Sequence, residues 1–354
     1  MDSHPQAHEV IPPETPDREF AFSVETFASL DEWLEGRRHG IGASDAPTVL
    51  GLTKRHSPLA LYHEKKGLEL PEERAGRARL LQMGLLMEPV AAGLFELEVP
   101  TVSLVQNRPI AWPNAYHLER STVQPWLTCT VDRWGQDKEL PLPEPSSGAS
   151  PADMIAAGVV PVELKNVSVW AAQDWLDLGE VPLAYQVQVQ HQMAVTGAQR
   201  GYVAAIIGGV DFKWARIERD DAFIALLLPQ LEQFWDRLQR DDPPPADGLE
   251  DTKKVLNALR LRAEQSEVVI ELPIEFGELD EKRERLTAEL KQLETEKNEI
   301  DNRIRAFMAE RDEPAAIGVL RNGVSYSWKI QHRNGYTVQP TKFPVLRRHG
   351  TKEK

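Results

Sequence analysis

Residues 160–166 read VPVELKN, and this run decides how the rest of the chain is interpreted. On extended backbone, side chains two apart share a face, so Glu163 and Lys165 point together while Val162 and Leu164 turn into a core. A carboxylate and an ammonium are then presented side by side on a buried strand. By itself an E-x-K run occurs in most proteins by chance, and a plain ion pair satisfies it equally well. Its weight comes from the preceding strand-like segment, LTCTVDRW (127–134), which places Thr128, Thr130 and Asp132 on one face and Leu127, Cys129 and Val131 on the other. If the two strands pair, Asp132 stands at the strand end beside Glu163.

Upstream, ARLLQMGLLMEPVAAGLFELE (78–98) reads as a helix with Glu88 inside an apolar run. Its i−4 and i+4 neighbours, Gly84 and Ala92, are small and leave the carboxylate room to reach another element. A carboxylate left unpartnered there would be costly. Three carboxylates and a lysine brought together suit one or two Mg²⁺ or Mn²⁺ ions, hard cations that prefer oxygen ligands. Two such ions about 4 Å apart serve in-line displacement at a phosphodiester, and the lysine positions or deprotonates the attacking water.

The surrounding composition is that of an ordinary α/β protein. Of 354 residues, 41% are apolar and 27% charged, enough for one large core or two modest ones. The net charge of −14 argues against adhesion of the whole surface to nucleic acid or anionic membrane, while leaving room for a small basic channel. The lone Cys129 permits no internal disulfide, reads as a small buried hydrophobe and suits a reducing cytosol. With no apolar run near the length of a span and no visible signal segment, the expectation is a soluble cytoplasmic protein without a membrane partner. Residues 1–20 read as a disordered tail, and 21–242 as one α/β domain whose patterning begins near Phe27. It closes with a helix from Asp220 or Asp221 that stops at Pro243, Pro244 and Pro245. The polar stretch 137–153 reads as an exposed loop or hairpin extension. Residues 243–277 form a linker and connecting helix. In 278–312, Leu279, Leu286, Leu293, Ile300 and Phe307 recur every seven residues, with Leu290 and Ile304 in the companion seam beside charged Arg283 and Lys297. This long amphipathic helix docks on the parent domain or another helix at least as readily as on itself. Residues 313–354 form a small β-hairpin module, flanked by Asn322-Gly323 and Asn334-Gly335, with a basic tail.

Five separated segments complete the reading: RRHGIGASDA (37–46), GLLMEPVAAGLFE (84–96), TCTVDRW (128–134), VELKN (162–166) and AYQVQVQHQMAVTGA (184–198). The alternating QVQVQ would ordinarily suggest a strand, but Pro182 at a first turn and Gly197 at a stop predict a helix with Tyr185, Gln188 and Gln192 on one face. In joint order and spacing these segments resemble the PD-(D/E)XK nuclease superfamily, in particular the phage lambda-type exonucleases and YqaJ-type viral recombinases, over most of residues 33–240. Val131 stands where the superfamily name has proline.

The resemblance implies a restriction-endonuclease-like core, a mixed central sheet flanked by helices. It implies that Asp132 and Glu163 bind Mg²⁺ or Mn²⁺ with the Leu164 carbonyl as a further ligand, that Glu88 completes the acidic cluster, and that Lys165 orients the attacking water. Arg37 and Ser44 would take the 5′-phosphate of a DNA end, an arginine fork and a hydroxyl both suiting phosphate oxygens. Alternatively, Gly40 and Gly42 make a turn, and Ser44 or Asp45 caps the next helix. Tyr185, Gln188 and Gln190 would lie beside the active site in contact with DNA. The implied activity is 5′-to-3′ exonucleolytic hydrolysis of linear duplex DNA in phage or prophage recombination, in the cytoplasm of a bacterial host. The implied partners are double-stranded DNA ends, a single-strand annealing protein and further copies of the chain in a homotrimeric ring. An endonuclease or helicase-associated nuclease of the same chemistry, or a non-catalytic DNA-end-binding scaffold, are the rival readings. Other signals are weaker. Gly-Ala-Ser-Asp-Ala (42–46) lacks the second glycine of a nucleophile elbow, and no phosphate-cradling Walker loop is present. His191 reads as a packing residue as readily as a functional one. Trp170 and Trp175 would either wedge a DNA end or belong to the core.

Overall fold

The structure is a computed structural model that describes residues 22–54, 56–68, 71–105, 116–140, 151–168, 175, 181–266, 268–310, 312–332 and 342–348. The expected tail at 1–20, most of the polar insert, Trp170 and Asn334-Gly335 lie outside these residues. The chain divides after Arg260 into two compact units.

The first unit is a mixed α/β fold. Its central sheet runs β2(Val102–Leu104), β5(Arg133–Asp137), β6(Val159–Val167), β7(Arg200–Ile207), β8(Asp211–Glu218). The β6–β7 pair is parallel and the other pairs are antiparallel, the mixed sheet that the five segments imply. A second sheet, β1(Phe22–Thr26), β3(His117–Ser121) and β4(Thr128–Cys129), is antiparallel throughout. Helix α1(Leu30–Arg38) is capped by Ser29, whose hydroxyl accepts from the Glu32 amide. It is followed by α2(Ala46–Val49), α3(Pro58–Lys65), α4(Pro71–Glu98), α5(Pro151–Ala156), α6(Leu183–Thr196), α7(Asp221–Arg240) and α8(Glu250–Arg262).

Among the described residues, patterned structure is already present at Phe22, ahead of Phe27, because Phe22 stacks on Trp134 at 6.4 Å and β1 pairs along β3. A larger correction concerns LTCTVDRW. It is not one strand but two in different sheets, β4 and β5, broken at Thr130–Asp132. Cys129 is fully buried, as a small hydrophobe would be.

Helix α6 begins after Pro182 and ends at Gly197, whose φ of 80° is the left-handed conformation that glycine adopts without a Cβ penalty. Alternating Val and Gln tolerate this helix because it is enclosed all round: nine of its side chains are buried, Gln188, Gln190 and Gln192 among them. Strands β7 and β8 form a hairpin around Gly208 and Gly209, both at positive φ. Helix α7 presents Ile224, Leu227, Leu231, Phe234 and Leu238 to the core at helical spacing, and Asp220 caps it by accepting from the Phe223 amide. The first unit continues past Pro243–Pro245 because α8 returns to it: Val255 packs with Ala60 and Leu68, and Asp251 bonds His56 Nδ1 at 2.7 Å.

The second unit contains α9(Glu275–Ala309), 35 residues long, and a hairpin of β9(Ile317–Val319) and β10(Ser325–Ser327) with Gly323 at its turn. The heptad side chains Leu279, Leu286, Leu293, Ile300 and Phe307 are all exposed. No helix among the described residues is long and apolar enough to cross a membrane.

Candidate active site

Strand β6 carries Glu163 and Lys165 on the face covered by α6, while Val162 and Leu164 pack on the other face with Ala91, Ala92 and Phe95 of α4. Lys165 Nζ is ion-paired with Glu163 Oε1. Gln188 Nε2 donates to the same oxygen at 2.5 Å, and Gln192 Nε2 to Glu163 Oε2 at 2.5 Å. Glu163 is thus 2% exposed with both oxygens oriented from α6. The Lys165 ammonium also lies 5.7 Å above the Tyr185 ring, which in turn packs against buried Trp175. Trp175 therefore belongs to the core.

Asp132 occupies the break between β4 and β5. The last β5–β6 pair is Arg133 with Val162, so the Leu164 amide has no strand partner on that side; it donates to Asp132 Oδ2 at 2.8 Å instead. A strand residue presents its N–H and C=O to the same edge, so the Leu164 carbonyl faces the same gap. Asp132 and Glu163 adjoin closely enough to share a hydrogen bond, and burial, then the Glu163 charge, push the Asp132 carboxyl up to about 7. Burial opposes the Lys165 ammonium, but Glu163 and Asp132 outweigh it and hold its pKa above the ordinary lysine value. At neutral pH Lys165 is a charged donor.

Two adjoining carboxylates and a carbonyl, all hard oxygens with negative charge in excess of one ammonium, fit a divalent Mg²⁺ or Mn²⁺ ion. Glu88, on α4, is 19% exposed at its side chain and ion-pairs with Arg133 Nη1, which also donates to the Asp132 carbonyl at 2.7 Å. Its partner is thus the residue next to Asp132. Among the described residues, no cluster of three His, Cys, Asp or Glu side chains forms a ready-made metal cage.

Arg37 and Ser44 are brought together: Arg37 Nη2 donates to Ser44 Oγ at 2.8 Å, and its guanidinium lies 4.8 Å over the Trp33 ring. The loop between them runs alongside β4, with Ile41 N bonded to the Trp126 carbonyl at 2.7 Å and Thr128 N to the Ile41 carbonyl at 3.0 Å. Gly40 makes this approach possible, since a Cβ there would stand 2.8 Å from the Trp126 carbonyl oxygen. Asp45 occupies the cap position of α2, but its carboxylate accepts from Gly42 N at 2.8 Å rather than from the helix.

Gln190 does not belong to the site. Two residues on a helix differ by about 200°, so Gln190 points away from Gln188. Its amide bonds the Glu218 carbonyl at 2.8 Å and the Asp220 amide at 3.0 Å, joining the end of β8 to the cap of α7. Gln192, four residues from Gln188, takes the place expected for it; the i, i+4 relation was its signal. Arg133, Asp45 and Lys65 had none, because their partners come from distant segments. His191 is fully buried, with Nε2 2.8 Å from the Thr128 carbonyl, a structural link between α6 and β4.

Residues 32–199 match the family described as the YqaJ-like viral recombinase domain. The chain is 28% identical over 287 residues to the uncharacterized protein YqaJ of Bacillus subtilis (strain 168), covering 80% of each. Among solved structures it is similar to an alkaline exonuclease (LHK-Exo) from Laribacter hongkongensis, at 18% identity over 67% of this chain and 100% of that one, with a TM-score of 0.39. The same protein in complex with dAMP gives 19% identity over 66% and 98%, with a TM-score of 0.41.

Proposed function

We propose, because residues 32–199 match the YqaJ-like viral recombinase domain, that this chain is a metal-dependent nuclease of recombination that hydrolyses linear duplex DNA from 5′-phosphorylated ends. The observation that carries the reading is the meeting of Asp132, Glu163 and Lys165 at one gap in the sheet. A site that only bound DNA would gain nothing from carboxylates that repel phosphate. Bound there by Asp132, Glu163 and the Leu164 carbonyl, Mg²⁺ or Mn²⁺ would supply charge stabilisation for an in-line phosphodiester displacement. Glu88 would add its carboxylate to the cluster on release from Arg133 Nη1. Lys165 donates to the attacking water and orients it toward phosphorus, while Gln188 and Gln192 keep Glu163 from turning. Tyr185 closes the site beside Lys165 and faces the substrate strand.

Arg37 and Ser44 receive the terminal phosphate, so that cleavage starts at a chain end. A homotrimeric ring around the duplex reconciles this substrate with the charge of −14, since only the channel need be positive. The duplex ends would then pass to a single-strand annealing protein in the host cytoplasm.

The test is a time course on end-labelled linear and covalently closed duplex DNA with Mg²⁺, Mn²⁺ or chelator. Mononucleotide release from the linear 5′-phosphorylated form alone, abolished by chelator, is the expected result. Cutting of the closed form would establish an endonuclease, and ion-independent binding without products a scaffold.

A further inference from the structure

Outside the acidic centre, Asp45 and Lys65 form a largely buried ion pair, their side chains 11% and 5% exposed. Lys65 Nζ, at the end of α3, donates to Asp45 Oδ2 at 2.6 Å and to the Arg37 carbonyl at 2.8 Å. One ammonium therefore fastens the C-terminal turn of α1 to the start of α2. Asp45 Oδ1 lies 3.9 Å from Arg37 Nη2, the nitrogen that donates to Ser44 Oγ. Lys65 and Arg37 outweigh the burial of Asp45 and hold its carboxyl down at about 2, so it is ionised throughout the working range. Enclosing an ion pair so fully costs desolvation that an apolar contact would avoid, so it is weak evidence of a purely stabilising role.

We propose that Lys65 is a positioning residue for terminal-phosphate selection: by holding Asp45 Oδ2, it keeps the Arg37–Asp45 ion pair at 3.9 Å, beyond direct hydrogen-bond reach, and leaves the Arg37–Ser44 pair open to a phosphate monoester. The inference rests on the end-capture reading above and deepens it. Two cations against one anion leave the cluster with a single positive charge. A terminal monoester, close to a dianion at neutral pH, gains more from that surplus than an internal diester or a hydroxyl end. Without Lys65 the surplus vanishes, and among the described residues Asp45 has only Arg37 left as an ion-pair partner; the carboxylate then occupies the donor that the phosphate needs. Removing Asp45 as well returns both the surplus and the free donor. A merely structural role predicts no such recovery.

The test measures binding of the full-length chain to short duplexes ending in a 5′-phosphate or a 5′-hydroxyl, by fluorescence anisotropy in the presence of chelator. The wild type should favour the phosphate end by about tenfold, the size of one charge-assisted hydrogen bond. Lys65→Met should bring the two ends within about twofold of each other, and Asp45→Asn/Lys65→Met should restore most of the preference. Asp45→Asn alone, which keeps the acceptor for Gly42 N, should equal or exceed the wild type; it decides the matter should Lys65→Met not fold. Calorimetric Mn²⁺ binding unchanged in Lys65→Met verifies that the acidic centre is intact. An undiminished preference in Lys65→Met, no recovery in the double variant, or a weakened preference in Asp45→Asn overturns the role of Lys65. A wild type indifferent to the terminal group overturns the end-capture reading on which it stands.

Discussion

The Leu164 amide donates to Asp132 Oδ2 at 2.8 Å, so a side chain takes over where the β5–β6 ladder ends. The carboxylate is thereby fixed in position but set against Glu163, an arrangement favourable for cation binding and unfavourable for the protein alone.

Asp132→Asn tests this opposition. The amide oxygen still accepts from Leu164, while the repulsion with Glu163 disappears. The metal-free variant should melt a few degrees above the wild type near pH 8, yet lose calorimetric Mn²⁺ binding and hydrolysis. A lower melting temperature would mean that the ionised pair is not under electrostatic stress.

Lys165→Ala should reduce hydrolysis by at least about 10²-fold, the scale of losing one oriented donor, while leaving duplex binding in chelator within about threefold. End-labelled gels and anisotropy on the same preparation check both halves.

Arg133→Gln removes the guanidinium that engages Glu88. If Glu88 takes part in holding the ion, Mn²⁺ affinity in this variant should rise, because the carboxylate no longer has a competing partner. Calorimetry on Arg133→Gln with and without Glu88→Gln reads this directly: the gain should vanish when both are changed.

Gln190→Ala and Gln192→Ala should separate stability from activity. Gln190 ties β8 to α7 through two hydrogen bonds, and its loss should cost about 1–3 kcal/mol in denaturant unfolding with hydrolysis retained per folded molecule. Gln192 holds Glu163, and its loss should lower hydrolysis by about tenfold or more.

His191 carries a pH signature. Burial depresses its pKa from 6.5 to about 4, against the opposing hydrogen bond to the Thr128 carbonyl. The unfolded chain therefore binds this proton more readily than the folded one, and its contribution to stability, complete above pH 6.5, is lost as pH falls toward 4. The drop is worth about 3 kcal/mol at 1.36 kcal/mol per unit. In His191→Gln, the decline of unfolding free energy over that window should be shallower than in the wild type.

Much of this architecture was legible locally. The hairpin at Gly208 and Gly209 announces itself by its turn residues, and α6 by Pro182 and Gly197 despite an alternating pattern that argues for a strand. Glu163, Lys165, Gln188 and Gln192 follow from strand and helix periodicity, which fixes direction once the element is known. Periodicity also rules out Gln190, and the resemblance that included it carried position without rotation. The break at Thr130–Asp132 was not legible, because an unbroken β-prone run conceals that its two halves pair with different sheets. Arg133 with Glu88, and Lys65 with Asp45, depend on segments tens of residues apart meeting in space, and no local rule reports such meetings.

The break between β4 and β5 has a mechanical consequence. The three residues that cross from one sheet to the other include a cation-binding candidate, so the seam between sheets and the candidate centre share one piece of chain. A shift of one sheet against the other would pull the Asp132 carboxylate from the Leu164 amide that holds it at 2.8 Å. Cation binding at Asp132 would therefore report on the alignment of the two sheets.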